Sequence, residues 1–134
     1  MDNKLLDVAI KYLKDKINPE YIILFGSQKE GLTHPKSDID LAYYSIMKIT
    51  PYELFLIAQE LADLIGYDVD LIDLSEATTV MKAQIFYTGE VIFCNNEKVR
   101  QEHHMYSYRM YAKLNEEREV ILDRIKESGS VYGE

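Results

Sequence analysis

The chain has one cysteine, three prolines and six glycines in 134 residues, and its apolar runs stop at about five residues. A lone cysteine excludes an internal disulfide and a cysteine-rich zinc site. Cys94 stands in the apolar stretch Val91-Ile92-Phe93-Cys94, where it reads as a small packing residue, and a reducing cytoplasm is the expected compartment. Runs of five fall far short of the roughly 20 apolar residues that span a bilayer. The start, Met1-Asp2-Asn3-Lys4, has no basic region feeding an apolar segment, so neither membrane insertion nor export is expected. Positive charge is also scarce: 15 Lys and Arg against 23 Asp and Glu leave a net charge of −8. Direct nucleic-acid binding, which rests on basic side chains neutralising phosphates, is therefore not expected. A small anionic substrate would need a metal or a local lysine.

What the chain does have is alternation between two hydrophobic periods. Leu5, Leu6, Ala9, Ile10 and Leu13 recur at helical spacing from Asp2 to Ile17, and Asn18-Pro19 closes that segment. Tyr21 to Phe25 is a β-rich run that ends in Gly26-Ser27, and Asp38 to Tyr44 alternates, with Ile39, Leu41 and Tyr43 on one face. Thr50-Pro51 is an N-cap and first helical residue for an apolar stripe that Gly66 stops. Tyr67 to Leu74 reads as a strand, with Val69 and Leu71 on one face and Asp68, Asp70 and Ile72 on the other. A third helix is predicted from Ser75 to Tyr87, a short strand over Val91 to Cys94, and one long helix over 96–127, where no Gly or Pro occurs. The expected fold is α/β (α+β), a small mixed sheet flanked by helices. One domain over 1–134 is expected, with a core over 3–94 and a frayed tail over 128–134.

The chemistry concentrates in one constellation. Gly26-Ser27 is followed, after ten intervening residues, by Asp38-Ile39-Asp40. Carboxylates at i and i+2 of a strand point the same way about 7 Å apart, close enough to bridge divalent ions. Hard cations such as Mg²⁺ take one or two such carboxylates and complete their shell with substrate phosphate oxygens. Gly26 lets backbone approach phosphates, Ser27 offers a hydroxyl, and Lys29 and Lys36 are the nearby cations. A later strand supplies a further carboxylate. Asp68 and Asp70 share a face, but Asp68 adjoins the Gly66 break and reads as a turn residue, so Asp70 is the better choice; Asp73 falls opposite or at the strand end.

These residues resemble the minimal nucleotidyltransferases of the DNA polymerase β superfamily: Leu24-Phe25-Gly26-Ser27, Ser37-Asp38-Ile39-Asp40-Leu41 and Val69-Asp70-Leu71 match its signature. The short length, the helix ahead of the Gly-Ser strand and the long charged last helix resemble the MntA-type antitoxins. The resemblance implies transfer of AMP from ATP to a tyrosine hydroxyl of a partner HEPN-domain toxin of the HepT type, silencing its ribonuclease activity. It further implies two Mg²⁺ ions held by Asp38, Asp40 and Asp70, with Gly26 and Ser27 on the triphosphate and Asp70 alternatively the base. Lys29 and Ser37 join the nucleotide-binding set. Relatives commonly follow Gly-Ser with Arg and a small residue, whereas this chain has Gln28-Lys29-Glu30-Gly31. The partner is expected to complete the triphosphate site.

Two other features carry less. His103 and His104 are sequential on a helix and point in different directions, so they do not form a chelating pair. Tyr106, Tyr108 and Tyr111 read as cover for a helix interface, and the charges from Glu116 to Glu127 solvate a face around Val120, Ile121 and Ile125.

Overall fold

The computed structural model describes residues 3–26 and 38–127. In chain order the elements are α1 (Asn3–Ile17), β1 (Tyr21–Phe25), β2 (Ile39–Tyr44), α2 (Pro51–Ile65), β3 (Val69–Asp73), α3 (Thr79–Thr88), β4 (Glu90–Cys94) and α4 (Glu97–Glu127), with a 3₁₀ turn over Leu74–Glu76. The strands lie in the order β3-β2-β1-β4. β1 runs antiparallel to both β2 and β4, whereas β2 and β3 are parallel, so the sheet is mixed, as the alternation of helix and strand predicts.

Each face of the sheet has its own cover. Ile22, Leu24, Ile39, Leu41, Tyr43 and Leu71 point to one face and bury against Ala9, Leu13 and Ile17 of α1 and Ala58, Leu61 and Ile65 of α2. The opposite face carries Tyr21, Ile23 and Ala42, which pack against Leu74, Ile85, Phe86 and Val99. This is the consequence of the two-residue period: odd positions of β2 go to α1 and α2, even positions to α3 and α4. The carboxylates of Asp40 and Asp70 occupy even positions, so they belong to the face that α3 and α4 cover.

The ends of the elements are fixed locally. Asn18 takes a left-handed φ of 44° immediately after α1, and Pro19 then prevents continuation. Ser45, buried at the end of β2, donates its hydroxyl to the Ile17 carbonyl at 2.6 Å and accepts from Met47 N–H at 3.0 Å, clasping the last turn of α1 to the sheet. Thr50 caps α2 by accepting from Glu53 N–H, with proline at the first turn, and Gly66 closes it in the left-handed conformation.

One boundary differs from the expectation. The predicted helix from Ser75 to Tyr87 is two pieces. Asp73 accepts from Ser75 N–H and Ser75 Oγ and winds the 3₁₀ turn, after which Thr78 caps α3 by accepting from Met81 N–H. Both Asp73 and Thr78 are strong local competitors for backbone donors, and the chain uses both instead of running one helix through them. α4 follows the expected range closely, opening with Asn96 Oδ1 accepting from Val99 N–H at 3.1 Å. Among the described residues no helix is long and apolar enough to cross a membrane.

Candidate active site

β1 delivers the chain to Gly26, whose φ is +79°, in the region that favours glycine. A second constraint acts on the same residue. A Cβ built at Gly26 would fall on Oδ2 of Asp40, so the carboxylate occupies the volume that any side chain at position 26 would need. The sequence reading assigned this glycine to phosphate approach; its close contact with Asp40 is a structural reason that no local signal carries.

β2 and β3 gather the acids. Ile39 N–H donates to the Asp68 carbonyl at 2.8 Å and starts the parallel pairing, which then sets Asp40 directly beside Asp70 in register. Register neighbours on adjacent strands are about 4.8 Å apart and point to the same face. Asp38 lies two residues before Asp40, just ahead of β2, and is exposed, as is Asp70; Asp40 is half-buried. Burial, then the charge of Asp70, then that of Asp38, push the Asp40 carboxyl above the usual carboxylate range. Those neighbours share its sign. Asp70 is thus the register partner of Asp40, whereas Asp68 contributes its backbone carbonyl at the entry to the strand. Asp73 sits at the far end of β3 and is committed to Ser75.

Ser27, Lys29, Lys36 and Ser37 lie outside the described residues. Among those described, no three His, Cys, Asp or Glu side chains converge closely enough to enclose a metal ion by themselves. An open pair of carboxylates with a third alongside suits an oxygen-seeking cation that keeps positions for phosphate oxygens, and it does not suit a closed structural site. The raised Asp40 carboxyl, owed first to burial and then to the like charges of Asp70 and Asp38, is the observation that fits a divalent cation.

Residues 8–98 match the family described as Polymerase beta, Nucleotidyltransferase. The chain belongs to the polymerase β nucleotidyltransferase family. This nucleotidyltransferase is 33% identical over 120 residues to the protein adenylyltransferase MntA of Shewanella oneidensis, an alignment that spans 87% of this chain and 84% of the relative. A crystal structure of a toxin–antitoxin with AMP-PNP superposes with a TM-score of 0.81 at 32% identity, covering 90% of this chain and 98% of that one. A structure of tri-AMPylated Shewanella oneidensis HEPN toxin in complex with MNT antitoxin gives a TM-score of 0.77 at 29% identity, covering 94% and 99%. Membership of the family makes a nucleotide the substrate.

Sequence reasoning missed one cluster on the same face. The Tyr21 hydroxyl lies 2.8 Å from His103 Nδ1, across 82 positions of chain. His103 also meets the Tyr44 ring edge-on at 4.5 Å, and the neighbouring His104 stacks on Phe86 at 5.2 Å. The two histidines thus serve different aromatic partners and anchor α4.

Proposed function

We propose that this nucleotidyltransferase transfers AMP from ATP to a tyrosine hydroxyl of a HEPN-type toxin and acts as its antitoxin. The single observation that carries the catalytic part is the in-register pairing of Asp40 with Asp70 beside Gly26. The relatives crystallised with an AMP-PNP ligand and with an AMPylated HEPN toxin support the acceptor class.

The transfer forms one bond and breaks one. The tyrosine oxygen attacks the α-phosphorus, an O–P bond forms, and the bond to the bridging oxygen breaks, releasing pyrophosphate with the electron pair. The tyrosine proton must leave as attack proceeds, and Asp70, exposed at the site, is the acceptor we assign to it. Asp38 and Asp40 would hold Mg²⁺, with Asp70 at its margin, and that ion would supply neutralisation of the triphosphate and of charge developing on the leaving group. Gly26 keeps the end of β1 free of side chain where the triphosphate approaches. Ser27 and Lys29, with Ser37 before Asp38, are assigned to its oxygens from their places in the sequence.

The test is incubation with labelled ATP and Mg²⁺, with and without the cognate toxin. A toxin that gains AMP on tyrosine, and fails to gain it with the Asp38→Asn, Asp40→Asn variant, is the expected outcome. If that double variant still neutralises the toxin as well as the parent chain does, masking replaces catalysis as the antitoxin function.

A further inference from the structure

The face that carries the acids has a concavity at its other end. A cavity of about 290 Å³ opens between the C-terminal ends of β2 and β3, α3 and the first half of α4. It is separated from Asp40 by packed core: Ile23, Ala42 and Ile85, all buried, fill the middle of that face. Tyr44 lies four residues beyond Asp40 on β2, roughly 13 Å along the strand.

The walls of this cavity are aromatic, with Tyr21, Tyr44 and Phe86 among them. Tyr44 and Phe86 are partly exposed, and the fully buried Tyr21 backs both, stacking on Tyr44 at 5.9 Å and meeting Phe86 at 6.1 Å. Hydrogen-bond donors also converge there. Ser107 is 3% exposed, lines the cavity, and its Oγ has no hydrogen-bond partner among the described residues. A serine within a helix ordinarily returns its hydroxyl to the carbonyl one turn back; this one does not. Burial raises the Tyr21 phenol pKa and lowers that of His103, and the two side chains share a 2.8 Å hydrogen bond between the phenol oxygen and Nδ1 that holds His103 at the cavity wall. Lys82, another lining residue, stands close enough to lower the His103 pKa, and Glu102 is the acid that opposes it. Ser75 contributes no spare donor, because its hydroxyl is given to Asp73 at 2.7 Å.

We infer that this cavity is a second ligand site, distinct from the catalytic carboxylates, that takes a small planar aromatic anion of the aryl carboxylate class. The size is at the lower end for small-molecule sites, and an apolar aromatic wall with a few convergent polar groups is their usual composition. A flat ring stacks on the wall, and a carboxylate meets Lys82 and Ser107. Such a ligand touches both sheet and α4, so its binding tightens the anchorage of α4. This site does not depend on the acceptor proposed for the catalytic end.

The experiment is a protein-observed NMR titration of the full chain with benzoate, with benzyl alcohol as neutral isostere and inorganic phosphate as non-aromatic anion. Benzoate should saturate at about 1 mM, moving resonances of Tyr21, Phe86, His103 and Ser107. Benzyl alcohol should bind about tenfold more weakly, and phosphate should leave these resonances still. Lys82→Gln and Ser107→Ala, each checked for a native spectrum, should each weaken benzoate by about tenfold. The site is overturned if benzoate shifts gather at Gly26, Asp40 and Asp70, if benzyl alcohol binds equally well, or if neither variant changes the affinity. Cognate toxin that occupies these resonances and is not displaced by benzoate also overturns it, making the cavity a protein contact.

Discussion

The two ends of one sheet face treat polar groups in opposite ways. At the Gly26 end, strand register drives carboxylates together, and burial followed by their like charge pushes the Asp40 carboxyl upward. At the Tyr21 end, β1 places a phenol against an imidazole from α4, and burial raises the pKa of the first and lowers that of the second, favouring the neutral form of each. The first arrangement is unfavourable to the fold and useful to chemistry. The second is favourable to the fold and positions a helix. Stability and function are therefore separated along about 13 Å of β2, within one layer of side chains.

Substitutions at either end test that separation. The largest effect expected is on catalysis: Asp40→Asn should lower AMP transfer by roughly a thousandfold, about 4 kcal/mol of barrier, read from the initial rate of label incorporation. Its melting temperature should hold or rise at neutral pH. The sign follows from the raised folded pKa: the folded state binds the Asp40 proton more tightly than the unfolded state, so the stability this favours is present at low pH and lost as pH rises through the folded pKa. A fall in melting temperature would show that the carboxylates hold the fold together. Next comes Gly26→Ala, expected to cost about 1–3 kcal/mol in urea unfolding, since a Cβ meets both the left-handed φ and the Asp40 carboxylate. At the other end, Tyr21→Phe should cost about 1 kcal/mol and leave AMP transfer unchanged, because it removes a buried hydrogen bond and nothing near the acids. Equal loss of activity in this variant would join the two ends. The smallest effect is in pH dependence. Burial lowers the His103 pKa, so its contribution to stability is complete above the unfolded value of 6.5 and lost as pH falls below it. His103→Phe should flatten the slope of stability against pH below 6.5, followed by thermal melts.

These contrasts also mark what a linear sequence can convey. The alternation over Asp38 to Tyr44 made the face of Asp40 legible, and the period of two did the same for Asp70. The choice between Asp68 and Asp70 needed more than period, since both share a face, and only pairing register puts Asp70 beside Asp40. The third helix began four residues later than expected because Asp73 and Thr78 each claim backbone donors, and spacing alone does not say which cap wins. Thr50-Pro51 and Gly66 were readable because their preferences act within one turn. The Tyr21–His103 bond was invisible for the opposite reason: its partners are far apart in sequence, and neither residue type demands the other. Ser27, Lys29 and Ser37, named from the motif, fall outside the described residues.

The contact between Gly26 and Asp40 also bears on how such a chain can change over generations. The carboxylate lies where a methyl at position 26 would be, so the two positions form one inherited unit of shape. An alanine at 26 needs the Asp40 carboxylate swung away or residue 40 shortened, and it still meets the left-handed φ; either change displaces or removes the acid. Either first step is a loss, and neither is repaired by the second. A lineage that abandons the acid at 40 sheds one of the two constraints on position 26 and keeps the other, the left-handed backbone, so the glycine outlasts the acid that first crowded it.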